Sequence, residues 1–289
     1  MGTLWNGPES PGWAGTYDTG PGISLGFPRK AMGYQLESHG WVTGSANSVF
    51  LNNPYGRYQR RRVDPSGEIT DWIRFALDPA IEVLRALEPG SEDRGDAAMR
   101  RPLGPRTSGV FQVQRLLHEH TSAASDPDPL FVEEAGLWIL EQTYMAALDL
   151  DGPPRNDPTA SAHRGIADAA ATFLSRNFRR PLRAATLARA VHASRPTLFR
   201  AFQRHNGMTV HRYLTSLRLR EAYLRLERDS VPLADLACEL GFSSHSHLSA
   251  VFRKEFGVHP SRVADEHARL TRRQEIEATL RARHLPIPS

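Results

Sequence analysis

The chain is poor in several features that would each have assigned it to a class. One of its 289 residues is cysteine, Cys238, so no intramolecular disulfide framework exists and a reducing, cytoplasmic setting is expected. Lysine is almost absent: Lys30 and Lys254 are the two, and arginine carries the other cationic charge. No stretch of eighteen apolar residues occurs, and no basic N-terminal region runs into a short apolar one. Neither membrane insertion nor export is therefore expected. Between residues 20 and 80 the single histidine is His39, too few for the His-x-His pair and third ligand of a metal-dependent barrel oxygenase.

The charge that is present is segregated. Lys and Arg total 36 against 32 Asp and Glu, yet from Ser161 onward the count is 22 basic against 11 acidic, and the remainder holds 14 against 21. An arginine-rich C-terminal half beside an acidic N-terminal half points to a polyanion as partner for the former. The length suits two domains, each able to bury its own core.

Within that basic half, one pattern occurs twice. Leu182–Gly207 reads LRAATLARAVHASRPTLFRAFQRHNG and Leu233–Gly257 reads LADLACELGFSSHSHLSAVFRKEFG. Each predicts a short helix, a tight turn, and a second helix with apolar residues four apart. In the first, Leu187, Ala188 and Val191 face Leu198, Ala201 and Phe202. In the second, Leu236, Ala237 and Leu240 face Leu248, Val251 and Phe252. Ser194 and Ser244 stand at the N-cap positions of the second helices, and Pro196 falls in a first turn, where a missing amide costs little. Gly241 supplies a positive φ in its turn, and Gly207 and Gly257 are C-terminal stops. Two helix-turn-helix units are thus expected. Val210–Arg228 predicts a continuous helix between them, with Tyr213, Leu214, Leu217, Ala222, Leu224 and Leu226 inward and arginines on the other face. A helix over Ile166–Phe178 precedes the units and another opens at Pro260, making seven helices. A rigid connection sets two reading helices to enter successive major grooves of double-stranded DNA, about 34 Å apart.

From Arg164 to Arg262 the chain closely resembles the AraC/XylS family of bacterial transcription regulators. The resemblance rests on Leu-Ala-x5-Ser-x3-Leu-x3-Phe-x4-Gly from Leu187 to Gly207 and on Arg218, Leu219 and Ala222. It rests further on Leu-Ala-x3-Gly-Phe-x3-Ser-x-Leu-x3-Phe-x4-Gly-Val-x-Pro-Ser from Leu236 to Ser261. Arg183 departs from the usual Ser cap, and Val263 with Ala264 from the usual aromatic and basic pair. The resemblance implies a promoter-binding activator that recruits RNA polymerase. A ligand- or partner-gated repressor is the alternative.

The face opposite each packed stripe gives the candidate DNA contacts. Arg195, Pro196, Phe199 and Arg200 on the first reading helix, and His245, Ser246 and Ser249 on the second, face the bases. Arg200 suits guanine O6 and N7, and Phe199 a thymine methyl, unless Phe199 packs on the linker helix. The short polar set on the second helix suits readout by DNA shape. Arg204, Arg253 and Lys254, at the far ends, suit phosphate.

Residues 1 to about 77 alternate short apolar runs with Gly and Pro. Ile23–Gly26, Met32–Leu36, Ser48–Leu51, Tyr55–Arg62 and Asp71–Leu77 predict strands of a small sheet or barrel. Helical patterns follow to Leu87, over Val110–His118 and over Leu130–Ala147. The fold class is α+β in two domains. Residues 1–150 form the first, 151–161 a Pro- and Asp-rich linker, 162–264 the all-α DNA-binding domain, and 265–289 a basic tail. In element order and in SANSVFLNNPYGRYQRRR (Ser45–Arg62), the first domain resembles the cupin-like sensing and dimerising domain of many family members. That resemblance implies a small-molecule effector and a homodimer.

Catalysis is not expected, and no cofactor or metal is. His118 with His120, and His245 with His247, are i, i+2 pairs that point to different helix faces; solvated surface is the reading for each. Some DNA-repair alkyl acceptors carry the same DNA-binding domain beside a reactive cysteine, but Cys238 falls on a packing helix and a buried thiol is expected.

Overall fold

The structure is a computed structural model and describes residues 1–36, 40–90, 99–123, 128–150, 158–228 and 231–265. His39, most of the 151–161 linker and nearly all of the 265–289 tail lie outside them. An N-terminal β region is followed by a helical C-terminal region. The chain divides into two compact units that interleave in sequence. Unit 1 is Met1–Thr107, Leu140–Asn177 and Leu182–Leu214; unit 2 is Ser108–Ile139, Phe178–Pro181 and Thr215–Ser289.

The strands of unit 1 are β1 (Gly2–Asn6), β2 (Thr16–Asp18), β3 (Ile23–Pro28), β4 (Met32–Leu36), β5 (Trp41–Gly44), β6 (Ser48–Asn52), β7 (Arg57–Arg62), β8 (Glu68–Phe75) and β9 (Leu103–Pro105). They form two antiparallel sheets, ordered β1-β8-β3-β6-β9 and β2-β7-β4-β5. Among the described residues no ladder joins the two into a closed barrel. All five expected strands are present, as β3, β4, β6, β7 and β8. The sheets meet where Tyr34 of β4 stacks on Phe50 of β6 at 4.4 Å and donates its hydroxyl to Asn52 Oδ1 at 2.8 Å. Every residue of central β3 is buried, so its sequence lacks the alternation of a half-exposed strand.

Arg29 holds Asp71 through Nε and Nη2 at 2.9 and 2.7 Å, and Thr3 Oγ1 adds a third donor at 2.8 Å. Asp71 is fully buried, and this bidentate pairing is what a buried carboxylate requires.

The helices are α1 (Leu77–Leu87), α2 (Ser108–Ala123), α3 (Pro129–Leu148), α4 (Pro158–Asn177), α5 (Ala184–Ala190), α6 (Arg195–Asn206), α7 (Val210–Arg228), α8 (Leu233–Glu239), α9 (His245–Phe256) and α10 (Pro260–Ala264). Helix α4 starts at Pro158, within the sequence expected to be linker. No described helix is long and apolar enough to cross a membrane. Unit 2 is built on one cluster: Tyr223 of α7, Leu236 of α8, and Leu248, Phe252 and Phe256 of α9 pack with Phe111 of α2. Phe111 meets Tyr223 edge-on at 5.1 Å.

Helix α7 departs from the expected two-faced pattern. Arg220 is buried at 2 % exposure, its guanidinium 5.6 Å from the Phe111 ring. Glu227 is also buried and paired with Arg115 of α2 at 2.9 Å. The reason is the docking of α2, which covers a face that the sequence pattern leaves to water. Burial pushes the Glu227 carboxyl upward against the opposing pull of Arg115.

Candidate nucleic-acid interface

The two helix-turn-helix units repeat one another bond by bond. In the first, the turn after α5 is closed by Val191 N to Leu187 O at 3.2 Å, His192 N to Arg189 O at 3.2 Å and Ala193 N to Ala188 O at 3.0 Å. After α8 the same three bonds run from Leu240 to Leu236 at 3.1 Å, Gly241 to Cys238 at 3.1 Å and Phe242 to Ala237 at 2.9 Å. This is the left-handed closure of a helix end. Gly241 takes φ of 74° there, and in the first unit the same place is held by His192 at 50°. The sequence flags the glycine; a histidine in that conformation carries no such signal.

Each second helix is capped as expected. Ser194 Oγ accepts from Thr197 N at 3.3 Å and Ser244 Oγ from His247 N at 3.1 Å. Gly207 and Gly257 end α6 and α9 with φ of 66° and 75°. Arg183, by contrast, makes no side-chain cap on α5, as its departure from the pattern implied. Val263 is fully buried on α10, so the altered end of the repeat still packs.

Burial sorts the faces. Leu198, Ala201 and Phe202 of α6 and Leu248 and Phe252 of α9 are at most 1 % exposed. Arg195, Pro196, Phe199, Arg200 and Arg204 are exposed on α6, as are His245, Ser246, Arg253 and Lys254 on α9; Ser249 is half-buried. Phe199, at 44 % exposure, is presented to solvent rather than packed away. Arg200 leans its Nε on Pro196 O at 3.4 Å, which leaves the end of its guanidinium outward. Helix α6 has no acidic residue, and the first turn of α9 has none. Both N-termini therefore keep the positive end of the helix dipole uncompensated, which favours phosphate and electronegative base edges.

His245 and His247 are exposed, and His247 Nδ1 lies 2.9 Å from Ser243 Oγ. His118 and His120 are half-buried rather than solvated; His120 sits edge-on to Phe131 at 4.9 Å and accepts from Asp128 N at 3.2 Å. Cys238 is exposed, against the expectation of a buried thiol. The reason is local: Leu236 and Ala237 take the packing face of the seven-residue α8, and Cys238 turns past it.

Sequence reasoning named Arg218 without its role. Its Nε donates to Phe178 O at 2.7 Å, Nη1 to Gly241 O at 2.8 Å and Nη2 to Arg180 O at 3.1 Å. One side chain on α7 thereby fixes both the turn of the second helix-turn-helix and the segment before α5.

Paired short helices, a capped outward helix in each pair and a cationic outer face define a helix-turn-helix DNA-binding domain. Residues 187–266 match a family model described as a helix-turn-helix domain. The transcriptional activator RhaS of Pectobacterium carotovorum is 32% identical over 178 residues, covering 57% of this chain and 61% of that protein. The transcriptional activator RhaR of Salmonella schwarzengrund is 25% identical over 153 residues, covering 53% and 54%. The chain thus spans between about half and three fifths of the length of these relatives. An AraC-type regulator of known structure from Chromobacterium violaceum is 27% identical, covering 39% of this chain and 96% of that one with a TM-score of 0.34.

Proposed function

We propose that the protein is a sequence-specific transcription regulator that binds double-stranded promoter DNA, and that it acts as an activator through RNA polymerase. The observation that carries this reading is the duplicated, bond-matched unit with an exposed polar face on each second helix, cationic along α6 and at the last turn of α9. In this reading α6 and α9 enter two successive major grooves. Arg195, Pro196, Phe199, Arg200, His245, Ser246 and Ser249 meet base edges, and Arg204, Arg253 and Lys254 meet phosphates. Activation is drawn from the relatives, both of which are transcriptional activators by name. The protein works by binding in the cytoplasm and catalyses nothing. Residues 1–150 sense and dimerise as a cupin-like domain, residues 162–264 bind DNA, and the latter comprise seven helices.

One cavity favours gating by a small molecule, which would equally serve a repressor. It measures about 200 Å³ between the sheets of unit 1 and is lined by Tyr34, Tyr58, Arg60, Glu68, Thr70 and Trp72. Arg60 and Glu68 form a buried ion pair through Nη1 and Oε2, 3.6 Å apart, and among the described residues neither of these atoms makes a hydrogen bond. Buried polar atoms left in this way are costly and are what a polar effector would satisfy.

The test is binding of the full-length protein to its own upstream DNA and to scrambled DNA of equal length, across a salt series. A preference of about a thousandfold or more at physiological salt establishes specific reading. Equal and steeply salt-dependent affinity for both would remove the sequence-specific part of the proposal for that operator.

A further inference from the structure

A second cavity lies in unit 1, away from the one between the sheets. It measures about 220 Å³, and β5, the β6 and β9 edges, α4 and the last turn of α6 contribute to its wall. Three guanidiniums line it, those of Arg100, Arg101 and Arg164, against one carboxyl, Asp168, and one imidazole, His205. Arg100 is oriented by Glu88 at 2.6 Å, and Arg101 by Leu150 O at 2.9 Å. Arg164 makes no hydrogen bond or ion pair among the described residues, and the Nε2 atom of His205 is buried without a partner. Burial together with the surrounding cations, Arg164 foremost, pulls the His205 imidazole below its usual value.

We propose that this cavity is a binding site for a phosphate monoester, with the phosphoryl group between Arg164, Arg101 and His205. Three guanidiniums against one carboxylate on the wall make it a place for an anion with several acceptor oxygens, which a phosphate monoester supplies. Guanidinium forks match phosphate oxygens in pairs. Ser48, also in the wall, suits a hydroxyl group on the ester's other half. The volume falls short of the roughly 300 Å³ at which drug-sized pockets begin, so the ester is small. His205 and Asn206 close α6, whose outer face carries Arg200 and Arg204. Occupancy therefore bears directly on the end of the first reading helix, and the ligand and DNA are linked through it.

The test is calorimetry on the full chain in chloride buffer, with glycerol 3-phosphate, inorganic phosphate and octanoate as probes. Saturable binding of glycerol 3-phosphate is expected, with inorganic phosphate weaker and octanoate silent. Arg164→Gln, at an exposed position, should weaken it about tenfold. Asp168→Asn should tighten it, because the carboxylate repels the ligand; a merely structural role for Asp168 would move affinity the other way or not at all. No saturable binding up to about 10 mM, octanoate binding in place of phosphate, or equal affinities in wild type and both variants would overturn the proposal. Saturating duplex DNA that abolishes phosphate binding in wild type would assign the site to a DNA backbone phosphate instead and overturn it too. Since none of the primary readouts involves an operator, failure here leaves the regulator reading intact.

Discussion

Arg218 Nη1 donates to the carbonyl oxygen of Gly241 at 2.8 Å, and a Cβ at Gly241 would lie 2.8 Å from Arg218 Nη2. The two positions are therefore coupled: the arginine needs a residue without a side chain in the turn it holds. Replacing Arg218 by Met keeps the aliphatic stem but removes three donors from three carbonyls. A loss of about 3 kcal/mol in chemical unfolding is expected, allowing for solvent recovery by the half-exposed groups. Arg218→Lys should recover only part of it, because one ammonium cannot span the three directions. A change under about 0.5 kcal/mol for Met would show that water replaces the arginine freely.

His192 occupies the left-handed place that glycine fills in the second unit. A side chain there costs roughly 1 kcal/mol in backbone strain, part of which the looser unfolded chain of a glycine variant would offset. His192→Gly should therefore stabilise the chain by about 0.5 kcal/mol, read from the denaturation midpoint at constant slope. Destabilisation would mean that the imidazole makes contacts worth more than the strain.

Most of the helical architecture was legible in the sequence because its signals are local. Ser194, Ser244, Gly207, Gly241 and Gly257 each act on their own turn, and the four-residue spacing of Leu198 with Phe202 and Leu248 with Phe252 needs no knowledge of a partner. The strands β1, β2, β5 and β9 were not legible. They have three to five residues each, and Trp5, Trp41 and Gly104 break any alternation. Their pairing with β8, β7, β4 and β6 is what makes them strands. Long-range docking was equally hidden. The apolar face of α2 was plain, but that Phe111 would join Tyr223 and Phe256, burying Arg220 and Glu227, depends on residues over a hundred positions apart. The outward face of α6 could be read by subtraction, and the cavity beside its last turn could not, since Arg100, Arg164 and His205 come from three separate segments.

Asp168 gives a pH signature. Burial raises its carboxyl from 3.8 to about 6, with Arg164 opposing. The folded chain therefore keeps a proton that the unfolded chain releases. The stabilisation this confers is fully present below about pH 4 and is lost as pH rises through about 6. Asp168→Asn should remove that decline. Relative to wild type, the variant should gain about 2–3 kcal/mol between pH 4 and pH 7.5, measured by urea unfolding at each pH. A constant difference across that range would place the carboxyl in water.

Arg200 and Lys254 separate base reading from backbone holding. Arg200 stands on the first turns of α6, with its guanidinium end outward, and Lys254 on the last turn of α9. Residues near the start of a reading helix reach base edges, and those at its end reach the phosphates beside the groove. Arg200→Ala should cost about 1–3 kcal/mol on the specific site and relax preference at one base pair, while leaving affinity for scrambled DNA nearly unchanged. Lys254→Ala should weaken binding to both DNAs alike and flatten the dependence of log affinity on log salt by about one unit. The measurement is fluorescence anisotropy with specific and scrambled duplexes at several salt concentrations. Equal losses on both duplexes for Arg200→Ala would reassign that arginine to phosphate and leave Phe199 and Arg195 to carry base discrimination by the first helix.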